Sequence, residues 1–238
     1  MRLHRFIGNF DFTKKPLRVS DKKLTEQLKN VLRLKAGNQI ILADGKLNEA
    51  TAKIVSLEKD VAELEILEIT KNTNEPTFHT ILYCSILKKE NFELVVQKAT
   101  EVGVKEIVPM LAQRTVKLNL KRDRLEKIIR EAAEQSGRGH LPALGEVVSF
   151  EEAMAHAKDN NANLFLEPER AMISLERLKH SIYKQIGVFV GPEGGWDETE
   201  IAAAQSHNYK IVGLGSPTLR AETAAIIGAY LVANADKF

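Results

Sequence analysis

One cysteine, Cys84, occurs in the whole chain, so no intramolecular disulfide can form. It sits in the apolar run ILYCSIL, where a small buried thiol is expected rather than a reactive one. No apolar run approaches the roughly 20 residues that cross a bilayer, and MRLHRFIGNF at the start has no long apolar core of the secretory kind. A cytoplasmic protein without a membrane partner is expected. The six histidines are scattered, with no HExxH or comparable ligand spacing, so no metal is expected either. Two catalytic signatures are also missing. There is no GxxxxGK loop to wrap a triphosphate and no GxSxG elbow to present a nucleophilic serine, which removes nucleotide hydrolysis and α/β-hydrolase chemistry from the leading readings.

Charge of one sign is scarce as well, the net value being +2, but it is unevenly spread. Residues 1–72 carry 14 Lys and Arg against 10 Asp and Glu, residues 73–149 carry 12 against 10, and residues 150–238 carry 8 against 12. A basic front two-thirds suits a polyanion, while the mildly acidic end is a poor grip for phosphates. Differences this small also arise by chance.

What the chain does have is a pair of glycine-rich turns near its end, GVFVGPEGGW at Gly187–Trp196 and IVGLGSPTLRAETAA at Ile211–Ala225. In each, a short apolar run breaks into Gly and Pro and a helix-forming segment follows. Glycine serves where φ must be positive or a ligand must approach the backbone, so Gly191, Gly194, Gly195 and Gly215 read either as ordinary strand-to-helix turns or as a cofactor site built from backbone. Gly213-Leu214-Gly215 resembles a dinucleotide fingerprint only superficially, because Thr218 stands where the third glycine belongs.

The chain organises around these turns. Met1–Ile7, Asn38–Asp44, Ala50–Leu57 and Val61–Thr70 read as short strands, with Asp44-Gly45 as a hairpin signal. Between them a helix is expected over Asp21–Leu32, capped by Ser20, with Leu24, Leu28, Val31 and Leu32 on one face. Lys71–Thr77 (KNTNEPT) reads as a linker, which divides the chain into residues 1–72 and 73–238. Beyond it strands and helices alternate: strand Thr80–Leu87, helix Asn91–Val102 stopped by Gly103, strand Glu106–Met110, helix Arg122–Gln135 stopped by Gly137, strand Ala143–Val148 and a helix capped by Ser149. Strand Asn163–Leu166, strand Gly187–Val190, helix Glu198–His207, strand Lys210–Leu214 and a last helix from Arg220 follow. Such alternation implies an α/β fold with a mostly parallel sheet covered on both faces.

The strings GPEGG and LGSPTLRAETAA, with LKKENFELVVQKATEVGVKEIVPMLAQRT at Leu87–Thr115 and REAAEQSGRGHLPAL at Arg130–Leu144, resemble the SPOUT methyltransferases. Specifically they resemble the family, often called RsmE, that methylates N3 of a uridine in 16S ribosomal RNA. LKNVLRLKAGNQI at Leu28–Ile40 is similar to that family's N-terminal domain, so the likeness covers nearly the whole chain. Gln27 departs from it, since similar proteins usually carry His there, and no chemical role follows for that position. The resemblance implies a C-terminal SPOUT domain with a deep trefoil knot, an N-terminal PUA-like β-barrel, S-adenosylmethionine as cofactor, a homodimer, and 16S ribosomal RNA or the small ribosomal subunit as partner.

It also implies where the cofactor lies: bent between Leu166-Glu167-Pro168, the turn Gly191–Gly195 with Glu193 in it, and Leu214–Leu219. Leu166, Leu214 and Leu219 would cover the adenine, and Gly191, Gly194, Gly195 and Gly215 would admit ribose and methionine. Arg220, directly after the third loop, is the catalytic candidate: a guanidinium can bond a uracil carbonyl whose charge grows as N3 loses its proton. The competing role for Arg220 is a structural ion pair with Glu222 or Glu193. No His or Asp is obviously placed as the base, which leaves water. Arg114, Arg138 and the Lys88-Lys89 pair, with Arg5, Arg18 and Arg33 of the front domain, are candidate RNA contacts, each also readable as a solvated surface charge. Two other functions fit the same strings: ribose 2′-O methylation of another RNA, and a non-catalytic RNA-binding assembly factor.

Overall fold

The computed structural model describes residues 3–116, 119–170, 173–174, 184–215 and 217–237. The chain forms two compact units, residues 1–75 with 133–141 and residues 76–132 with 142–238.

Short alternating strands make the first unit. Strands β1 (His4–Ile7), β2 (Leu17–Val19), β3 (Gln39–Ala43), β4 (Asn48–Leu57) and β5 (Ala62–Lys71) lie in the order β1-β3-β4-β5-β2. All pairs are antiparallel except β1 with β3. In β4 the period of two is plain: Ala50, Ala52 and Ile54 are buried while Lys53 and Val55 face water. The Asp44 carboxylate accepts from the Lys46 and Asn48 backbone N–H groups at 2.7 and 3.0 Å, which closes the β3–β4 turn as its sequence suggests.

Three local readings need correction here. The helix expected over Asp21–Leu32 is capped by the side chain of Asp21 rather than Ser20, and only α1 (Lys22–Glu26) is α-helical. Gln27–Val31 continues as a π-turn, whose extra residue per turn rotates later residues off the face set by Leu24 and Leu28, leaving Val31 72% exposed. Strand β2 was not expected, being only three residues long. The segment expected as a linker begins inside a strand: β5 runs on to Lys71, and buried Asn72 donates its side-chain amide to the Gly137 carbonyl at 2.9 Å.

The second unit is the expected parallel α/β layer. In chain order it holds β6 (His79–Ser85), α2 (Lys89–Val102), β7 (Glu106–Leu111), α3 (Arg122–Ser136), β8 (Ala143–Leu144), β9 (Val148–Ser149) and α4 (Phe150–His156), α3 ending among residues that cluster with the first unit. Then come β10 (Ala162–Leu166), β11 (Ile173–Ser174), β12 (Gln185–Val190), α5 (Glu198–Ser206), β13 (Lys210–Gly213) and α6 (Ala221–Ala233). The strand expected over Ala143–Val148 is two short pieces, Ala143–Leu144 and Val148–Ser149, although the Gly145 N–H still donates to the Ile107 carbonyl of β7 at 2.8 Å.

The strand order is β11-β13-β10-β12-β6-β7-β8, with β9 also on β7, and every pair is parallel. The central strands are apolar on both faces. Tyr83, Phe165 and Phe189 pack on one side with Phe150 and Trp196, and α6 packs against β6 and β12. One detail of the order matters for function. The last strand, β13, sits between β10 and β11, which follow one another in sequence ahead of the connection from β11 to β12. Part of that connection, residues 175–183, lies outside the described residues.

Candidate active site

Because β10, β12 and β13 are adjacent and parallel, the loops that follow them leave the sheet at one end, where an open α/β sheet forms its ligand crevice. There they enclose a cavity of about 740 Å³, within the range of small-molecule sites. All ten expected cofactor residues line it: Leu166 at the end of β10 with Glu167 and Pro168 after it, Gly191, Glu193, Gly194 and Gly195 after β12, and Leu214, Gly215 and Leu219 after β13. Arg220, Lys88 and Arg114 line it too.

The loops are held by specific bonds. Trp196, 4% exposed, stacks on Phe165 at 4.2 Å and donates its indole N–H to the Leu166 carbonyl at 2.9 Å, joining the second loop to the end of β10. The ring explains Gly191: a Cβ there would come within 2.9 Å of the indole, so this glycine seats Trp196. Gly195 and Gly215 behave as the sequence suggests, with φ of +71° and +93° and with no atom within 4 Å of where a Cβ would point. Their open sides are room for a ligand.

Three side chains brace the Gly191–Trp196 turn. Arg114 donates to the Gly194 carbonyl at 3.2 Å and pairs with Asp197 at 3.4 Å. Glu193 accepts from the Lys88 backbone N–H at 3.0 Å, placing a carboxylate at the start of α2, where Lys88 offers no side-chain cap. Buried Glu200, in the capping box of α5, accepts from Asp197 N and Gln113 N, both at 2.9 Å, and so ties this turn to the loop after β7. Sequence reasoning missed Trp196 and Glu200. A lone tryptophan after GPEGG and a Glu three residues beyond a capping Asp were the available signals.

The electrostatics are mixed. Asp197 is held below its ordinary value, first by the Thr199 backbone N–H and then by the Thr199 hydroxyl, with Arg114 adding a smaller pull. Cys84 is fully buried as expected, and burial pushes its thiol up, with the Glu193 charge a lesser cause. Arg220 is the N-cap residue of α6, exposed, and forms no ion pair among the described residues. The structural pair with Glu222 or Glu193 is therefore not what the structure shows.

The candidate RNA contacts separate. Arg138 is corrected: it is 3% exposed and its guanidinium forms a two-pronged pair with Glu75 at 2.8 and 3.0 Å, inside the first unit, so it presents no charge to a phosphate. Arg5, its side chain 13% exposed, is engaged with Glu49. Arg18 and Arg33 are exposed in the first unit, Arg18 pairing with Glu63 at 3.5 Å. Lys88 and Arg114 are exposed at the cavity, and the Lys89 side chain lies outside the described residues.

A parallel sheet whose last strand is inserted between two consecutive ones, with a cavity built by the three loops at its end, defines a SPOUT-class RNA methyltransferase. The RNA methyltransferase domain family matches residues 73–233, and the RNA methyltransferase PUA domain family matches residues 28–67. Ribosomal RNA small subunit methyltransferase E of Mesomycoplasma hyopneumoniae is 33% identical over 73% of this chain and 77% of its own length. That of Rickettsia conorii is 33% identical over 84% of this chain and 82% of its own. A crystal structure of the Neisseria gonorrhoeae enzyme of that name, bound to S-adenosylmethionine, superposes with a TM-score of 0.85 at 32% identity, covering 96% of this chain and 95% of that one. The chain belongs to the family of ribosomal RNA small subunit methyltransferases E.

Proposed function

We propose that this protein transfers the methyl group of S-adenosylmethionine to N3 of a uridine in 16S ribosomal RNA, acting in the cytoplasm as a homodimer. The observation that carries the reading is the cavity. Two positive-φ glycines, Gly195 and Gly215, line it together with the apolar Leu166, Leu214 and Leu219, a surface suited to a neutral adenosine. When bound, S-adenosylmethionine supplies an electrophilic methyl carbon on a sulfonium.

The chain's residues do the rest. The three loops fix the direction of attack, because orientation is worth several kcal/mol of barrier. Arg220, exposed and unpaired at the rim, offers a charged donor to a uracil carbonyl as negative charge develops there. N3 lies on the Watson–Crick edge, so the target base enters unpaired or flipped. Lys88 and Arg114 at the cavity, and Arg18 and Arg33 in the first unit, are the exposed cations left to hold phosphates.

Dimerisation is supported by apolar surface. Helix α6 exposes Ile227 and Tyr230, and α2, packed against it, exposes Leu94. Sedimentation at micromolar concentration should give twice the chain mass, and a monomer would remove the dimer from this reading. Nucleoside mass analysis of ribosomal RNA from a strain lacking the protein tests the reaction: 3-methyluridine should disappear. Loss of a ribose-methylated nucleoside instead, or no change, would overturn it.

A further inference from the structure

The geometry points to Glu222 as the group that accepts the N3 proton of the target uridine, an inference that rests on the reaction proposed above. Glu222 stands in the first turn of α6, is 8% exposed and lines the cavity. Among the described residues its carboxylate has neither a hydrogen bond nor an ion pair. The residue as a whole is largely buried, but its carboxylate oxygens reach the open cavity and can accept from a ligand there. The other buried carboxylate of the cavity is unlike it: Glu167 already accepts from the Glu169 backbone N–H at 3.0 Å.

Uracil makes the match specific. Its Watson–Crick edge reads acceptor, donor, acceptor, the donor being N3–H, so a complementary site must read donor, acceptor, donor. Arg220 and Glu222, at the head of one helix, give the walls of one cavity a cationic donor and an anionic acceptor. The electron count closes. The N3–H bond gives its proton to the Glu222 carboxylate, the N3 electron pair forms the bond to the methyl carbon, and the carbon–sulfur pair returns to sulfur, leaving a neutral thioether. The carboxylic acid then releases its proton to water. Cytosine, whose N3 carries a lone pair and no proton, would face the carboxylate with like polarity and be rejected.

Single-turnover methylation of small-subunit RNA by the full chain, across a pH series, tests the assignment for wild type, Glu222→Gln and Glu222→Asp. Calorimetry with S-adenosylhomocysteine serves as a readout independent of turnover. Glu222→Gln should lower the rate by about a hundredfold to ten-thousandfold while keeping S-adenosylhomocysteine affinity within a few-fold. Its rate should climb about tenfold per pH unit, since hydroxide must then remove the proton, whereas wild type should show a shallower dependence. Glu222→Asp should recover part of the rate and the shallower profile. Equal rates for Glu222→Gln and wild type, or a loss matched by weakened S-adenosylhomocysteine binding with an unchanged pH profile, would overturn the assignment alone. Absence of 3-methyluridine from the wild-type reaction would overturn it together with the reaction on which it rests.

Discussion

The indole N–H of Trp196 donates to the main-chain carbonyl of Leu166 at 2.9 Å, across 30 residues of sequence. This bond joins the loop after β12 to the end of β10, both of which line the cavity. Trp196→Phe keeps an aromatic ring against Phe165 but leaves that carbonyl without its donor. The expected result is a loss of about 1–3 kcal/mol in stability, the usual cost of orphaning a buried polar group, together with weaker S-adenosylhomocysteine binding. Urea unfolding and calorimetry check the two halves separately. Unchanged affinity would show that the bond holds the fold and not the cavity.

Gly195 and Gly215 allow a controlled test of the cavity. Valine at either position pays for left-handed backbone, about 1–2 kcal/mol, and also places its side chain where a ligand would lie. Gly45 has the same sign of φ and the same empty surroundings, but belongs to the first unit. Gly45→Val should therefore lose comparable stability while binding S-adenosylhomocysteine normally, and Gly195→Val and Gly215→Val should bind it weakly or not at all. Equal binding by all three variants would place the cofactor elsewhere.

Arg138 and Glu75 form a pair with side chains only 3% and 9% exposed, and the same carboxylate also accepts from the backbone N–H groups of Gly139 and His140. Replacing one member leaves the other buried without that opposite charge. Glu75→Gln and Arg138→Met should each cost about 3–5 kcal/mol, and the double variant less than the sum. Denaturant titrations of the set measure the coupling. A surface role for Arg138 would show instead as normal stability with reduced RNA affinity.

The Asp197 carboxyl is held low by the Thr199 backbone and hydroxyl, so its ionised form is preferred in the folded protein. A folded value below the unfolded one contributes stability that is present above the ordinary carboxyl value of 3.8 and is lost as pH falls through the lowered folded value. Acid unfolding followed by fluorescence should therefore be less steep below that value for Asp197→Asn than for wild type. An unchanged acid limb would remove this group from the linkage.

How far the sequence reached depended on the range of the interactions involved. The parallel layer was legible because doubly buried strands such as ILYCS have an unmistakable apolar run, and its helices stop where Gly103 and Gly137 permit a left-handed cap. The cavity was legible because a turn that needs Gly195 or Gly215 announces itself locally. Arg138 was misread because the partner that buries it, Glu75, lies 63 residues away and nothing nearby signals it. The π-turn after Glu26 escaped because an i→i+5 bond leaves no compositional mark. Glu222 was visible in the string RAETAA only as a partner for Arg220; its place in the cavity without that partner is a property of the packing.

Arg220 separates binding from chemistry. Its backbone caps α6 through its carbonyl, which accepts from Ala224 N at 2.8 Å, while its side chain makes no cap and stays exposed at the cavity rim. Truncation therefore leaves the helix start intact, and Arg220→Ala should fold and bind S-adenosylhomocysteine as wild type does. If the guanidinium stabilises charge on the uracil carbonyl as N3 is deprotonated, the variant should lose about a hundredfold to a thousandfold in single-turnover rate, far more than it loses in RNA affinity. Arg220→Lys should recover little, because an ammonium cannot reproduce the planar fork. The pH profile of Arg220→Ala should keep the wild-type shape, since Glu222 remains to take the proton, whereas Glu222→Gln should steepen it. Near-normal turnover by Arg220→Ala would assign the donor role to the backbone N–H groups that open α6.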